Sequence, residues 1–136
     1  MKVPAKLRIE VERRAGRRCE YCRLSQDGQE AVFHVDHIHP LAHGGQTDLT
    51  NLALACVSCS LRKGARLRAR DPGTEQAVPV FHPRKQIWQD HFRWAGNRVV
   101  GLTPAGRATV AALRMNREIA LAIRAEEARL GRHPAK

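Results

Sequence analysis

The sequence predicts a small α+β protein that is held together by one structural metal site. The chain of 136 residues is the size of one domain with a terminal extension. Aromatic residues make up only 4% of it, so its apolar core is thin and needs a further staple. Four cysteines in two close pairs can supply that staple, and strand-like and helix-like segments surround them.

The four cysteines are spaced as the two halves of one zinc site. Cys19 and Cys22 form C-E-Y-C, Cys56 and Cys59 form C-V-S-C, and the chain has no other cysteine. Two such knuckles can place four thiolates around one tetrahedral Zn²⁺. Disulfides or redox thiols are the alternatives, but disulfides suit secreted chains and a redox C-x-x-C normally occurs singly. Four thiolates leave no open position for water, so we expect a structural zinc.

A helix and a strand are predicted in the N-terminal third of the chain. Residues 4–15 have a helical pattern, in which Pro4 suits the first turn and Gly16 suits the C-terminal cap. Residues 31–38 are rich in strand-forming residues and are bounded by Pro40. These two segments flank the first cysteine pair.

Residues 60–70, which follow the second cysteine pair, begin with a helical pattern. The stretch 71–78 predicts a connector. Residues 78–94 and 98–103 then flank an Ala-Gly-Asn sequence at 95–97 that is typical of a hairpin turn.

Two helices are predicted at the C-terminal end. Thr103 is a favourable N-cap and Pro104 suits the first turn of a helix over 104–115. A second helix is expected to begin at Asn116 and to end at Gly131. Its apolar stripe consists of Ile119, Ala122, Ile123 and Leu130. We interpret both helices as packing or dimer elements.

The net charge of +11 favours a polyanionic partner, because each neutralised phosphate releases counterions. Charge alone does not choose between nucleic acid and an acidic membrane surface. The sequence has no apolar run of about 18 residues, so no membrane span is expected. The residues after Met1 lack an apolar secretory segment, so we expect a cytoplasmic protein.

Histidines and a carboxylate are concentrated between the two cysteine pairs. Asp36 stands among four of them, namely His34, His37, His39 and His43. Such a cluster suggests proton transfer or a second metal site.

The order of these residues resembles an HNH endonuclease of the ββα-metal (His-Me finger) class, in the four-Cys form found in small standalone bacterial members. The likeness spans residues 8–64. It rests on an acidic residue before a histidine, a Gly-rich loop, an Asn-Leu pair and the second cysteine pair. The matching residues are Asp36, His37, Pro40, Gly44, Gly45, Asn51, Leu52, Cys19, Cys22, Cys56, Cys59 and Lys63. The resemblance implies a ββα-metal core within residues 1–70, with 71–136 as an extension packed on it.

The resemblance also implies a role for each site residue. His37 matches the general base that takes a proton from water, and Asp36 matches the ligand of a catalytic Mg²⁺ or Mn²⁺. Asn51 matches the residue that holds the loop and orients His37. The alternation of a strand sends Asp36 and His37 to opposite faces, so the strand must kink or end there for both to reach one phosphate.

Ser60 departs from the family pattern, which usually has Asn or His at this position. Its hydroxyl is a weak ligand for a catalytic metal. A water could fill the gap, His82 or His91 could supply the ligand, or activity could be reduced. His34 shares an ideal strand face with Asp36 and is a further candidate ligand.

Basic residues next to this site are expected to contact phosphate. Arg62, Lys63 and Arg66 follow the second cysteine pair, and His43 lies in the Gly-rich loop. A solvated basic face is the alternative. Backbone contacts carry no sequence information, so cleavage of double-stranded DNA is expected to be weakly specific unless a protein partner or a homodimer directs it.

These observations favour a metal-dependent DNA endonuclease with a structural zinc. A catalytically impaired zinc-knuckle protein that binds nucleic acid is the first alternative, and Ser60 motivates it. The second alternative is a basic zinc module that docks on an acidic protein, which would leave the clustered histidines without a role.

Overall fold

The computed structural model describes residues 3–135. Among these residues the chain forms five α-helices and six short strands, which pair into three two-stranded antiparallel sheets. The helices are α1 (Ala5–Arg14), α2 (Val57–Lys63), α3 (Trp88–His91), α4 (Pro104–Ala112) and α5 (Glu118–Arg129). The strands are β1 (His34–His37), β2 (Leu52–Ala55), β3 (Arg68–Arg70), β4 (Ala77–Pro79), β5 (Phe92–Ala95) and β6 (Arg98–Gly101). The α+β class is confirmed.

The unit β1–β2–α2 places the residues that lie between the cysteine pairs. β1 and β2 are antiparallel, with Asp36 opposite Ala53 and His37 opposite Leu52. Helix α2 begins directly after Cys56, whose thiol accepts a hydrogen bond from the amide of Cys59. Strand β2 is buried along its whole length because α1 and α2 also pack on it.

One apolar core joins the two parts of the chain. Leu52 and Leu54 of β2 belong to the same buried cluster as Phe81, Trp88 and Phe92. The Phe92 ring contacts the other two, with its centroid 5.0 Å from that of Trp88 and 5.1 Å from that of Phe81. The few aromatic residues of the chain therefore pack in the core.

The hairpin β3–β4 was missed, because the sequence predicted a helical start over 60–70 followed by a connector. Helix α2 ends at Lys63, since Gly64 has a φ of +51° that side-chain-bearing residues rarely adopt. The stretch predicted as a connector is the turn between β3 and β4. In this turn Asp71 accepts hydrogen bonds from the amide of Gly73 and the hydroxyl of Thr74.

The hairpin β5–β6 and the Thr103 cap are confirmed, but the start and the buried face of α5 were predicted wrongly. The Asn116 side chain bonds the backbone of Val99 instead of capping the helix. Ile119 is 63% exposed, whereas Arg124 is buried over the Trp94 ring. Of the predicted stripe, Ile123 packs against the core, but the buried residues of the helix are Ala120, Arg124 and Glu127. No helix within residues 3–135 is long and apolar enough to cross a membrane.

Candidate active site and zinc site

The four cysteine sulfurs converge on one buried point. The Sγ atoms all lie within 4.8 Å of one another, and those of Cys22 and Cys56 are 3.7 Å apart. Four thiolates around a tetrahedral Zn²⁺ with bonds of about 2.3 Å would be about 3.8 Å apart. Cys19 and Cys22 come from the loop after α1, and the second pair lies at the start of α2. The donor set and its spacing therefore fit zinc.

The carboxylate of Asp36 is buried in β1 and is held by two donors. The Tyr21 hydroxyl donates to its Oδ2 at 2.8 Å, and the Lys63 ammonium lies 3.2 Å from the same oxygen. Burial raises the pKa of Asp36, and the nearby Lys63 and Tyr21 oppose that shift. Because both contacts use Oδ2, Oδ1 is the oxygen that can accept a further partner.

His37 lines the same cleft as Asp36 and is the last residue of β1. The cleft has a volume of about 360 Å³ and is also lined by His34 and Ser60. The Nε2 atom of His37 is 2.9 Å from the hydroxyl of Thr47, and burial lowers the pKa of the imidazole. Sequence reasoning missed Thr47, although its place just after the Gly pair was a usable signal.

The side chain of Asn51 closes the loop between β1 and β2. Its Oδ1 accepts from the amide of His39, and its Nδ2 donates to the carbonyls of His39 and Gln46. Gly45 lets the loop backbone come close, since a Cβ there would stand 1.8 Å from the His39 carbonyl oxygen. Asn51 thus fixes the backbone that follows His37.

Ser60 and His34 form a pair at the wall of the cleft. The Ser60 hydroxyl is 2.9 Å from His34 Nδ1, and both residues line the cleft with Asp36. The strand periodicity pointed to His34, because it predicted that His34 and Asp36 share a face.

His82 and His91 are engaged elsewhere. His82 Nδ1 accepts hydrogen bonds from the amides of Arg84 and Lys85, and His91 Nδ1 is 2.6 Å from the Thr103 hydroxyl. Neither histidine lines the cleft of Asp36. The geometry therefore brings His34, and not these two, next to Ser60.

The basic residues after the second cysteine pair point in different directions. Lys63, expected to contact phosphate, has a side chain that is only 1% exposed, and its ammonium donates to the His37 carbonyl at 3.1 Å as well as pairing with Asp36. That expectation for Lys63 does not fit, since a buried and paired ammonium cannot reach a phosphate in solvent. Arg62 bonds Ser58 on another side of α2, whereas Arg66 is exposed.

The loop histidine His43 is also exposed. Its carbonyl accepts a hydrogen bond from the His39 ring at 2.9 Å. Its own ring therefore remains available at the tip of the Gly-rich loop.

Residues 19–66 match the family model that is described as HNH endonuclease. The matched segment contains both cysteine pairs, the β1–β2–α2 unit and every residue of the cleft described above. No curated protein and no solved structure matches the chain significantly.

Proposed function

We propose that the HNH endonuclease domain at residues 19–66 hydrolyses phosphodiester bonds of double-stranded DNA with the help of a divalent cation. The observation that carries this proposal is the shared cleft of Asp36 and His37. A carboxylate and an imidazole that line one cleft of a basic protein suit metal-assisted attack of water on a phosphate.

His37 is the general base. Burial keeps its imidazole neutral at pH 7, because it lowers the pKa below the ordinary value of 6.5. In the competent tautomer Nε2 donates to the Thr47 hydroxyl, which leaves Nδ1 to accept the proton of the attacking water. Asn51 is a positioning residue, since it fixes the loop backbone that begins after His37.

Asp36 is the ligand through which a catalytic cation is held, with Ser60 and His34 as neighbours in the cleft. Among the described residues, only the four cysteines form a group of three or more His, Cys, Asp or Glu donors close enough for a metal. A single carboxylate suits Mg²⁺ or Mn²⁺, which commonly bind one or two carboxylates together with substrate phosphates. When bound, the cation stabilises charge on the phosphoryl and leaving oxygens. We expect weak cation binding in the absence of DNA.

Lys63 and Tyr21 are positioning residues. Their hydrogen bonds to Oδ2 orient the Asp36 carboxylate, and the Lys63 ammonium offsets the cost of burying its charge. Without them a buried carboxylate would be protonated more easily and would lose its affinity for a cation.

Arg66 and His43 are proposed to contact DNA phosphates, and Arg62 contacts them on another side of α2. Such contacts make binding salt-sensitive and weakly specific. A directing protein partner or a homodimer would supply specificity that phosphate contacts lack.

Cleavage of supercoiled plasmid at low salt tests this function. The wild-type protein should nick the plasmid with Mg²⁺ or Mn²⁺ and not with a chelator of those ions. Asp36→Asn and His37→Ala should each lose at least about 100-fold in rate, the usual contribution of such groups. Zinc content and the circular dichroism spectrum serve as controls for folding.

The short side chain of Ser60 favours the alternative of an impaired nuclease that binds nucleic acid. That protein would shift DNA in a gel at low salt and give no product with either ion. Equal cleavage by the wild-type and His37→Ala proteins would instead contradict the assignment of the base.

A further inference from the structure

A second cavity has a volume of about 480 Å³, and Ile38, Lys63 and Arg66 of its lining are chain neighbours of residues that line the active-site cleft. We call it the hairpin cavity, because the β3–β4 hairpin and the segment after it form one side and Ile38 with Lys63 forms the other. Its floor is apolar, since Ile38, Val80 and Phe81 line it and are each less than a tenth exposed. A cavity of this size with such a floor suits a small flat apolar group.

The rim of the hairpin cavity is cationic. Arg66, Arg68 and Lys85 line it and are all exposed. Within residues 3–135, none of these three side chains forms an ion pair, and no acidic residue lines the cavity. The ligand that brings the flat apolar group should therefore also carry a negative charge, which would lie at the rim.

Two imidazoles add a hydrogen-bond donor and an acceptor. His82 Nδ1 accepts from backbone amides, so its proton is on Nε2, which remains a donor. His39 Nε2 donates to the His43 carbonyl, so Nδ1 of His39 remains an acceptor. Both histidines line the cavity. A donor and an acceptor near an apolar floor match the polar edge of a nucleobase.

The cavity lies immediately beside the catalytic pair. Ile38 of its floor follows His37 in the chain, and Lys63 of its wall bonds both Asp36 and the His37 carbonyl. A nucleotide seated here would be next to the phosphate in the active-site cleft.

We propose that the hairpin cavity binds one unpaired nucleotide of the cleaved strand, with its base on the apolar floor and its phosphate at the cationic rim. A base that is stacked in a duplex cannot lay its face on the floor of the cavity, so the base must lie outside the helix. The preferred substrate is then DNA with an extrahelical or single-stranded nucleotide near the cut. This inference rests on the proposed function for the identity of its substrate.

Binding of two matched duplexes tests the subsite without cleavage. The duplexes share one sequence, and one of them carries a single unpaired 2-aminopurine nucleotide at its centre. Fluorescence anisotropy at low salt, with no added Mg²⁺ or Mn²⁺, measures both affinities. The wild-type protein should bind the bulged duplex about 10-fold more tightly, and 2-aminopurine fluorescence should change on binding.

Two leucines provide a matched pair of variants. Leu67 is 39% exposed and lines the hairpin cavity, so Leu67→Trp should fill it and abolish the preference while affinity for the paired duplex is kept. Leu61 is 71% exposed on α2 and lines a different cavity, so Leu61→Trp should keep the preference. Lys85→Gln, a change that leaves the cavity open, should lower affinity for the bulged duplex several-fold.

Equal affinity of the wild-type protein for both duplexes would overturn the proposal, as would a preference that survives Leu67→Trp in a folded protein. Failure of the proposed function is distinguishable from this result. A preference for the bulge without any metal-dependent cleavage would leave the subsite standing and remove the nuclease. Metal-dependent cleavage of both duplexes, together with equal affinity for them, would support the nuclease and remove the subsite.

Discussion

Asp36 and His37 line one cleft, although neighbouring residues of a regular strand point to opposite faces. Asp36 points inward, where Tyr21 and Lys63 hold it, and His37 is the last residue of β1. Because the strand ends at His37, the regular alternation of strand side chains does not fix the direction of this residue as it does for Asp36. At this scale, the sequence predicted the pair of Asp36 and His37, but it did not predict the side chains that hold Asp36. Lys63 lies in a basic stretch of the sequence, and nothing in that stretch indicates that its side chain is buried.

A first prediction at the residue scale concerns the unusual serine. Ser60→Ala and His34→Ala should each lower the cleavage rate about 10-fold and raise the Mg²⁺ concentration needed, since each removes one side of the same contact. The double variant should then be little worse than either single variant. Ser58→Ala, on another side of α2, is the matched control. Fully additive losses would show that Ser60 and His34 act independently.

The pH dependence of cleavage gives a second prediction. His37 must be neutral to accept a proton, and burial lowers its pKa below 6.5. Activity should therefore be complete at pH 7 and be lost as the pH falls through that lowered pKa. Single-turnover rates between pH 5 and pH 8 at constant ionic strength measure it. A midpoint above 7 would contradict a neutral, partly buried imidazole as the base.

At the scale of elements, local signals decided which predictions succeeded. The β5–β6 hairpin was found because its turn has Gly96 at a φ of +62°, and α4 was found because Thr103 caps it in sequence and in space. The strands of the β3–β4 hairpin are three residues each, and the alternation of Arg68, Ala69 and Arg70 is too short to distinguish a strand from the helix predicted there. Its position is set by tertiary contact, since Arg107 of α4 donates two hydrogen bonds of 2.9 Å to Asp71. Such a contact cannot be read from local sequence.

The cluster of four cysteines connects elements that are weak by themselves, and removal of its expected zinc is a third prediction. Cys59→Ser should lose stoichiometric zinc. Its thermal unfolding midpoint should fall by about 10 °C or more, because a structural zinc contributes several kcal/mol to folding. Metal analysis together with thermal unfolding checks this. An unchanged midpoint in a zinc-free protein would mean that the packed core alone holds the β1–β2–α2 unit.

Over the whole molecule, the apolar core serves stability and the surface charge serves binding. Phe81, Trp88 and Phe92, from the extension, complete the core beneath the HNH segment. The net charge of +11 is left on the surface, where it favours a polyanion. Composition predicted a thin core and favoured a polyanionic partner. It could not predict that Arg124 would be buried over Trp94, because that contact depends on how α5 meets the β5–β6 hairpin.

Chemical rescue of the His37→Ala protein tests the central claim most directly. The variant should cleave plasmid at least about 100-fold more slowly than the wild-type protein with Mg²⁺ or Mn²⁺. Added imidazole should restore part of that rate in proportion to its unprotonated form, because it replaces the missing base. The same imidazole should leave the Asp36→Asn protein inactive. A His37→Ala protein that cleaves at the wild-type rate without imidazole would contradict the account.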